Sequence, residues 1–145
     1  MTDDPLALER QVCFALAVAS RNVIALYRPV LEPMGLTHPQ YLVMLALWER
    51  SPRTLRDLGE SLALDPGTLS PLVKRLEVNG LITRERDRDD ERALAVTLTA
   101  KGRRLRTQAL KVPGKIVARL GLPISELERM HGVLTTVIAA SSPQR

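Results

Sequence analysis

LGESLALDPGTLSPLVKRLEVNGLITRERDRDDERALAVTLTAKG, residues 58–102, is the stretch whose reading decides the fold. Asp65 precedes Pro66, and an aspartate N-cap with proline at the first helical position starts a helix. Leu69, Leu72, Val73 and Leu76 then recur at three- and four-residue steps, which makes one buried stripe. Asn79-Gly80 is a C-cap pair. LITRER and ALAVTLT follow as short β-capable runs, the second alternating, with the charged tip DRDDER between them. They predict a β-hairpin. Upstream, Thr54 followed by Asp57 marks the start of a short helix, and ALD is a tight break. Two short helices joined by a tight turn, then a charged hairpin, make a winged helix-turn-helix.

The second of those helices can lie in a major groove. With its stripe turned inward, Gly67, Thr68, Ser70, Lys74 and Arg75 remain outside, with Asp65 at its start. Small residues near the N-terminal end allow close approach to base edges. Lys74 and Arg75 can neutralise phosphates, and Arg75 can also fork onto a guanine. The plainer reading is a solvated helix face, and the hairpin that follows at once favours DNA. At the hairpin tip, Arg88 and Arg92 lie among Asp87, Asp89, Asp90 and Glu91. A carboxylate beside an arginine holds its guanidinium in one pose, and an arginine on a thin loop suits the minor groove. Arg92 is the expected inserted group and Asp90 its clamp.

Working outward, residues 5–31 read as one long helix with Cys13, Leu16, Ser20, Ile24, Tyr27 and Leu31 along one stripe. EPMGLT breaks it. Thr37 with Gln40 forms a capping-box pattern, and the dense apolar run after it predicts a central buried helix. Met34, Met44 and Trp48 read as core. Downstream, Thr99 caps a helix to about Leu110, VPGK bends or interrupts it, and Lys115 to Leu120 continue. Ser125 with Glu128 repeats the capping-box pattern and opens a last helix to about Ala139. The tail SSPQR is expected to fray.

The 145 residues suggest one domain, residues 1–145, that is mainly α with a small β-hairpin. Hydrophobic residues are 45% and aromatics only 3%, which suits a helical core of Leu, Val and Ala. Net charge is +5, and an isoelectric point near 10.0 favours an anionic partner, most often nucleic acid. No apolar run approaches the roughly 18 residues of a membrane span, and the acidic start MTDDPLALER lacks a signal peptide's basic region. A soluble cytoplasmic protein is expected. One cysteine excludes an internal disulfide and a multi-cysteine zinc site, and His38 and His131 are too few and scattered for a metal site. Neither metal nor cofactor is expected.

Residues 58–102 resemble the DNA-binding lobe of the MarR family of bacterial repressors, through the helix, the GLITR strand, the D-x-R wing tip and LTxxG. QVCFAL…SR…YRPVL followed by GLTHPQYLVMLALWE is similar to the OhrR branch, the organic-hydroperoxide-sensing repressors. The similarity runs from about Leu6 to Lys115. It implies a DNA-binding lobe over about 36–99 and dimerisation helices over about 5–31 and 100–140. It implies a homodimer on double-stranded operator DNA, with Cys13 oxidised by organic hydroperoxides and DNA released. In the family that thiol is hydrogen-bonded by tyrosines. Tyr27 matches one, while Ala17 and His38 stand where others are often found, and a resolving cysteine is absent. A small cellular thiol is therefore the expected second partner.

Spacing adds a constraint. Fourteen residues put Cys13 and Tyr27 near one face of a straight helix but roughly 21 Å apart along it. Crossing two copies antiparallel near Ser20 brings Cys13 of one toward Tyr27 of the other. Within one long helix from residue 5, Cys13 lies beyond the first turn, so hydrogen bonds from Tyr27 and His38 must favour its thiolate; a protonated His38 would add positive charge. On composition alone Cys13 is a small core hydrophobe. Two other readings stay open: a repressor of this fold released by a phenolic or carboxylate ligand, and a thiol peroxidase. The chain lacks the strand-helix alternation of a thioredoxin-like peroxidase.

Overall fold

Helix α1 spans Val12–Leu31, α2 His38–Glu49, α3 Leu55–Leu62 and α4 Pro66–Val78; strands β2 (Ile82–Arg86) and β3 (Leu94–Leu98) form the hairpin; α5 (Ala100–Ala109), α6 (Val112–Leu120) and α7 (Ile124–Ser141) follow. A two-residue strand β1, Arg53–Thr54, pairs antiparallel with β3 and gives the sheet order β1-β3-β2. The computed structural model describes residues 4–90 and 92–143. Glu91 of the charged tip and the last two residues of the tail expected to fray lie outside the described residues.

The helix-turn-helix forms as its sequence directs. Thr54 caps α3 through the Asp57 amide, and Asp65 caps α4 through the Thr68 amide with Pro66 at the first position. Between them, Leu64 donates to the Gly59 carbonyl at 2.9 Å. A Cβ on Gly59 would sit 2.9 Å from the Leu64 carbonyl oxygen, so the tight turn needs glycine there. Leu58, Leu69, Val73 and Leu76 close the core against Val43, Met44 and Leu47 of α2. Leu72 is half-buried at its edge, as are Met34 and Trp48.

The LTxxG signature has a packing reason. Thr99 caps α5 through the Gly102 amide at 3.1 Å, and its hydroxyl donates to the Gly80 carbonyl at 2.6 Å. A Cβ on Gly102 would run into the Leu81 carbonyl oxygen. The Trp48 indole N–H donates to the Gly102 carbonyl at 2.9 Å, locking α5 onto the central helix.

Four expectations need correction. The first helix is not continuous from residue 5: a 3-10 turn at Leu8–Arg10 is followed by extended Gln11, and α1 begins at Val12. Gln11 Nε2 donates to the carbonyls of Pro5 and Ala7 at 2.8 and 3.2 Å, which holds the break. VPGK is not the interruption: α6 starts at Val112 with Pro113 inside its first turn, where a missing N–H costs nothing. Ser125 does not cap the last helix; α7 begins at Ile124 after Pro123, without a side-chain cap. Finally, the stretch Val12–Met34 is, by length and a mean hydropathy of 1.2, apolar enough to cross a membrane, and 11% of that window is buried. Arg21, Asn22 and Arg28 interrupt it.

Candidate nucleic-acid interface and cysteine site

The outward face of α4 carries Gly67, Thr68, Ser70, Lys74 and Arg75, all exposed. Asp65 stands at its start, but its carboxylate is engaged, accepting from the Thr68 amide at 2.8 Å. Its contribution is to fix the end of the helix that carries the small residues.

The wing is organised by a residue that sequence reasoning passed over. Asp87 Oδ2 accepts from the amides of Asp89 and Asp90 at 3.2 and 3.1 Å, an Asx-type turn. The Asp87 amide donates to the Ala93 carbonyl at 2.8 Å, closing the tip. Asp90 Oδ1 accepts from the Arg92 amide at 3.0 Å and lies 3.8 Å from Arg92 Nε. So Asp90 holds the backbone of Arg92 firmly and its guanidinium loosely. Arg92 is 95% exposed and projects from the tip, as Arg88 also does. The signal for Asp87 was present, since an aspartate two residues before the tip is turn chemistry.

Two further ion pairs brace the lobe. Glu77 on α4 accepts from the Arg84 amide and guanidinium at 3.1 and 3.0 Å, tying the reading helix to β2. The Arg84 side chain, through that hydrogen bond first, holds the Glu77 carboxyl below its ordinary range. Arg53 is buried; it pairs with Asp57 at 2.7 Å and also donates to Ser61 and to the Ala46 carbonyl. Arg53, then Arg50, holds Asp57 down in the same way. The seven-residue spacing of Glu77 and Arg84 gives no sequence signal.

The excess positive charge does not sit on the reading head. Residues 36–99 carry nine basic and ten acidic side chains, whereas residues 100–145 carry nine basic and two acidic ones. What suits the head to DNA is the disposition of charge. Asp57, Asp65, Glu77 and Asp87 are spent on internal partners, while Lys74 and Arg75 face solvent without an ion pair among the described residues.

Cys13 is the second residue of α1 and is exposed. That corrects its expected place beyond the first turn. It lies where unpaired N–H groups and the helix dipole favour negative charge. Tyr27 and His38 are brought together at the other end of α1, with ring centroids 4.8 Å apart and edge-on at 64°. Tyr41 completes the cluster, 5.9 Å from Tyr27 and 6.4 Å from His38. It sits three residues after His38 in a run that reads as plain core, which hid it. Burial pushes Tyr27 up from the usual phenol range and His38 down from the usual imidazole range. Burial, then the nearby Tyr27, raises Tyr41. That direction favours the neutral imidazole of His38 over the imidazolium. Beside the cluster runs a groove of about 590 Å³ lined by Arg21, Ile24, Arg28, Thr37 and His38. Within one chain, Cys13 and the Tyr27–His38 pair are not brought together.

The comparisons with known proteins agree with this architecture. The family model of the transcriptional regulator SarA/Rot matches residues 25–108. The organic hydroperoxide resistance transcriptional regulator of Bacillus subtilis is 40% identical over 135 residues, covering 93% of this chain and 92% of that protein. Reduced AbfR bound to DNA, from Staphylococcus epidermidis, superposes with a TM-score of 0.76 at 35% identity, covering 92% and 93% of the two chains. AbfR has also been solved overoxidised on DNA and in a disulfide form. BpsR of Bordetella bronchiseptica, whose DNA binding is regulated by 6-hydroxynicotinic acid, gives 0.84 at 25% identity, covering 97% and 100%. The chain belongs to the MarR family of winged-helix DNA-binding transcriptional regulators, on its OhrR branch.

Proposed function

We propose that this protein is a cytoplasmic repressor that binds operator DNA as a homodimer and releases it when an organic hydroperoxide oxidises Cys13. The chain acts as one MarR-type domain, with residues 36–99 reading DNA and residues 5–31 and 100–140 joining two copies. Gly67, Thr68, Ser70, Lys74 and Arg75 face the major groove and Arg92 the minor groove. It is a regulator, not an enzyme; its relatives are named as regulators.

One observation carries the redox reading. Cys13 is exposed on a helix end, and the aromatic cluster that could hydrogen-bond it lies at the far end of the same helix. An antiparallel two-fold crossing of α1 brings the thiol of one copy to the Tyr27–His38 pair of the other. The thiolate attacks the terminal peroxide oxygen, an alcohol leaves, and Cys13 becomes a sulfenic acid. Having no second cysteine, the sulfenic acid condenses with a small thiol, losing water and forming a mixed disulfide. The added bulk in the interface shifts the two reading helices out of half-site register.

The test is a mobility shift on its own promoter region beside intact-mass spectrometry, after treatment with cumene hydroperoxide and a small thiol. Release together with an adduct on Cys13, both lost in Cys13→Ser, supports the reading. Release that persists in Cys13→Ser removes it. In that case the second reading stands, a repressor released by a bound carboxylate. It is favoured by the regulation of BpsR by 6-hydroxynicotinic acid and by the apolar groove beside His38.

A further inference from the structure

We propose that a notch on the flank of the lobe, between the end of α2, the end of β3 and α5, binds a small organic monoanion: a carboxylate on a flat apolar body. The notch encloses about 380 Å³ and is built from Trp48 and Arg50 of the α2 end, Leu98 of β3, and Arg103 and Arg106 of α5. It shares no residue with the reading face, and neither Cys13 nor the groove beside His38 contributes to it.

Three observations carry the assignment. First, Arg103 and Arg106 are three residues apart, so their side chains emerge on one side of α5. Both are exposed, and among the described residues neither has an ion-pair partner. No Asp or Glu occurs anywhere in residues 92–125, so the flanking sequence supplies no counter-charge. Two neighbouring guanidinium groups repel, and an oxyanion between them takes charge-assisted hydrogen bonds from both.

Second, the apolar wall is fixed in place. The Trp48 ring is half-buried, and its N–H is committed to the Gly102 carbonyl, the residue next to Arg103. A planar apolar group has a rigid surface to lie on without displacing that bond.

Third, the notch keeps a surplus of positive charge. Arg50, Arg103 and Arg106 stand against Glu49, which also lines the notch. The nearby Asp57, which Arg50 Nη2 binds at 2.8 Å, is shared with buried Arg53 at 2.7 Å and so does not neutralise a notch arginine by itself. Asp57 lies in the first turn of α3, so the edge of the notch is tied to the first helix of the helix-turn-helix.

Trp48 is the only tryptophan, so intrinsic fluorescence reports on the notch directly. The full-length protein is titrated with benzoate at constant ionic strength, with calorimetry in parallel. Benzoate is expected to give a saturable change. Benzamide has the shape without the charge and acetate the charge without the ring, and each should bind about tenfold more weakly or worse. Arg103→Ala with Arg106→Ala should raise the benzoate half-saturation about tenfold or more. Arg104→Ala, on the same helix but outside the notch, should leave it unchanged. Both notch arginines are exposed, so the double variant should melt as the parent does. A non-saturating benzoate response in both measurements overturns the proposal, as does equal binding of benzamide or an unchanged half-saturation in the double variant.

Discussion

The reading lobe and the helical arms dispose of their apolar side chains in opposite ways. In the lobe, Leu58, Val73, Leu76 and Val96 have no exposure at all. In α7 no described residue is buried, and Ile124, Val133 and Ile138 stand about 60% exposed. The N-terminal half of α1 is similar, with Val12 at 71%. The lobe completes its own core, spends its carboxylates on caps and arginines, and turns its free cations outward. Of the arms, α7 and the N-terminal half of α1 present unspent apolar surface, while α5 and α6 place Ala109, Val112 and Ile116 in the core. Such surface marks an interface. One part of the molecule buries its apolar side chains within a single copy, and the other, at α7 and the start of α1, leaves them exposed.

The comparison breaks most visibly at the arms. Val133→Glu with Val137→Glu places two charges one turn apart on the apolar side of α7. The sedimenting species should fall from twice the 16.1 kDa chain mass to one chain. Operator affinity should drop by at least about a hundredfold, because the two half-sites are no longer linked. The far-ultraviolet spectrum of the lobe should survive. A dimer that persists with intact operator binding would put the interface elsewhere.

Glycine substitutions sharpen the same contrast. Gly102→Ala drives a methyl into the Leu81 carbonyl at the closure of the lobe. It should destabilise the protein by about 3 kcal/mol in chemical denaturation. Gly114→Ala in α6 meets nothing within 4 Å and should be neutral or stabilising by up to about 1 kcal/mol. Equal costs at the two positions would show that the seat of α5 on Leu81 of the lobe is no tighter than the open face of α6.

That contrast also explains what the sequence revealed. The helix-turn-helix and the wing were legible because caps, stripe and hairpin are local signals, each satisfied within a few residues: Asp65 by Thr68, Thr54 by Asp57, Asn79-Gly80 by the chain that follows. The arms were read less well because their determinants are not local. Pro113 looked like a break and is a helix start. Ser125 looked like a cap, and Pro123 displaced it. Gln11 ends the N-terminal turn through contacts to Pro5 and Ala7 that no periodicity reports. Of the candidate thiol site, Tyr27 and His38 were recognisable, and Tyr41 was hidden because a buried tyrosine in an apolar run carries no pattern of its own. The net charge pointed toward nucleic acid, yet the excess lies on residues 100–145. In the lobe, which charges are left unpaired matters more than their sum.

Within the lobe, the wing should yield intermediate effects. Arg92→Ala should weaken operator binding about tenfold by removing the exposed tip cation. Asp87→Ala should cost nearly as much without removing any cation, because it releases two amide hydrogen bonds that shape the tip. Asp90→Ala should cost less than either. Lys74→Ala should weaken all duplexes alike and reduce the salt slope by about one. Mobility shifts over a salt series check all four. An Asp87→Ala protein with full affinity would mean that the turn needs no aspartate.

The smallest effect lies where lobe and arm meet, at His38. Burial holds its folded-state pKa below the ordinary imidazole value. The unfolded chain therefore takes up the proton first, near pH 6.5. Stability from neutral His38 is complete above that pH and is lost as pH falls through the lower folded-state value. One proton limits the slope to about 1.4 kcal/mol per pH unit. Asp57 and Glu77 are also held down, but their contribution is kept above the ordinary carboxylate range and lost only below about pH 4. The two windows are thus separate. His38→Gln should flatten the upper one and leave the lower one intact, as read by chemical denaturation at a series of pH values. If parent and variant lose stability in parallel between pH values of about 7 and 5, the imidazole is not buried in the folded protein. The Tyr27–His38 contact would then be too loose to present a neutral hydrogen-bonding group to a partner's thiol.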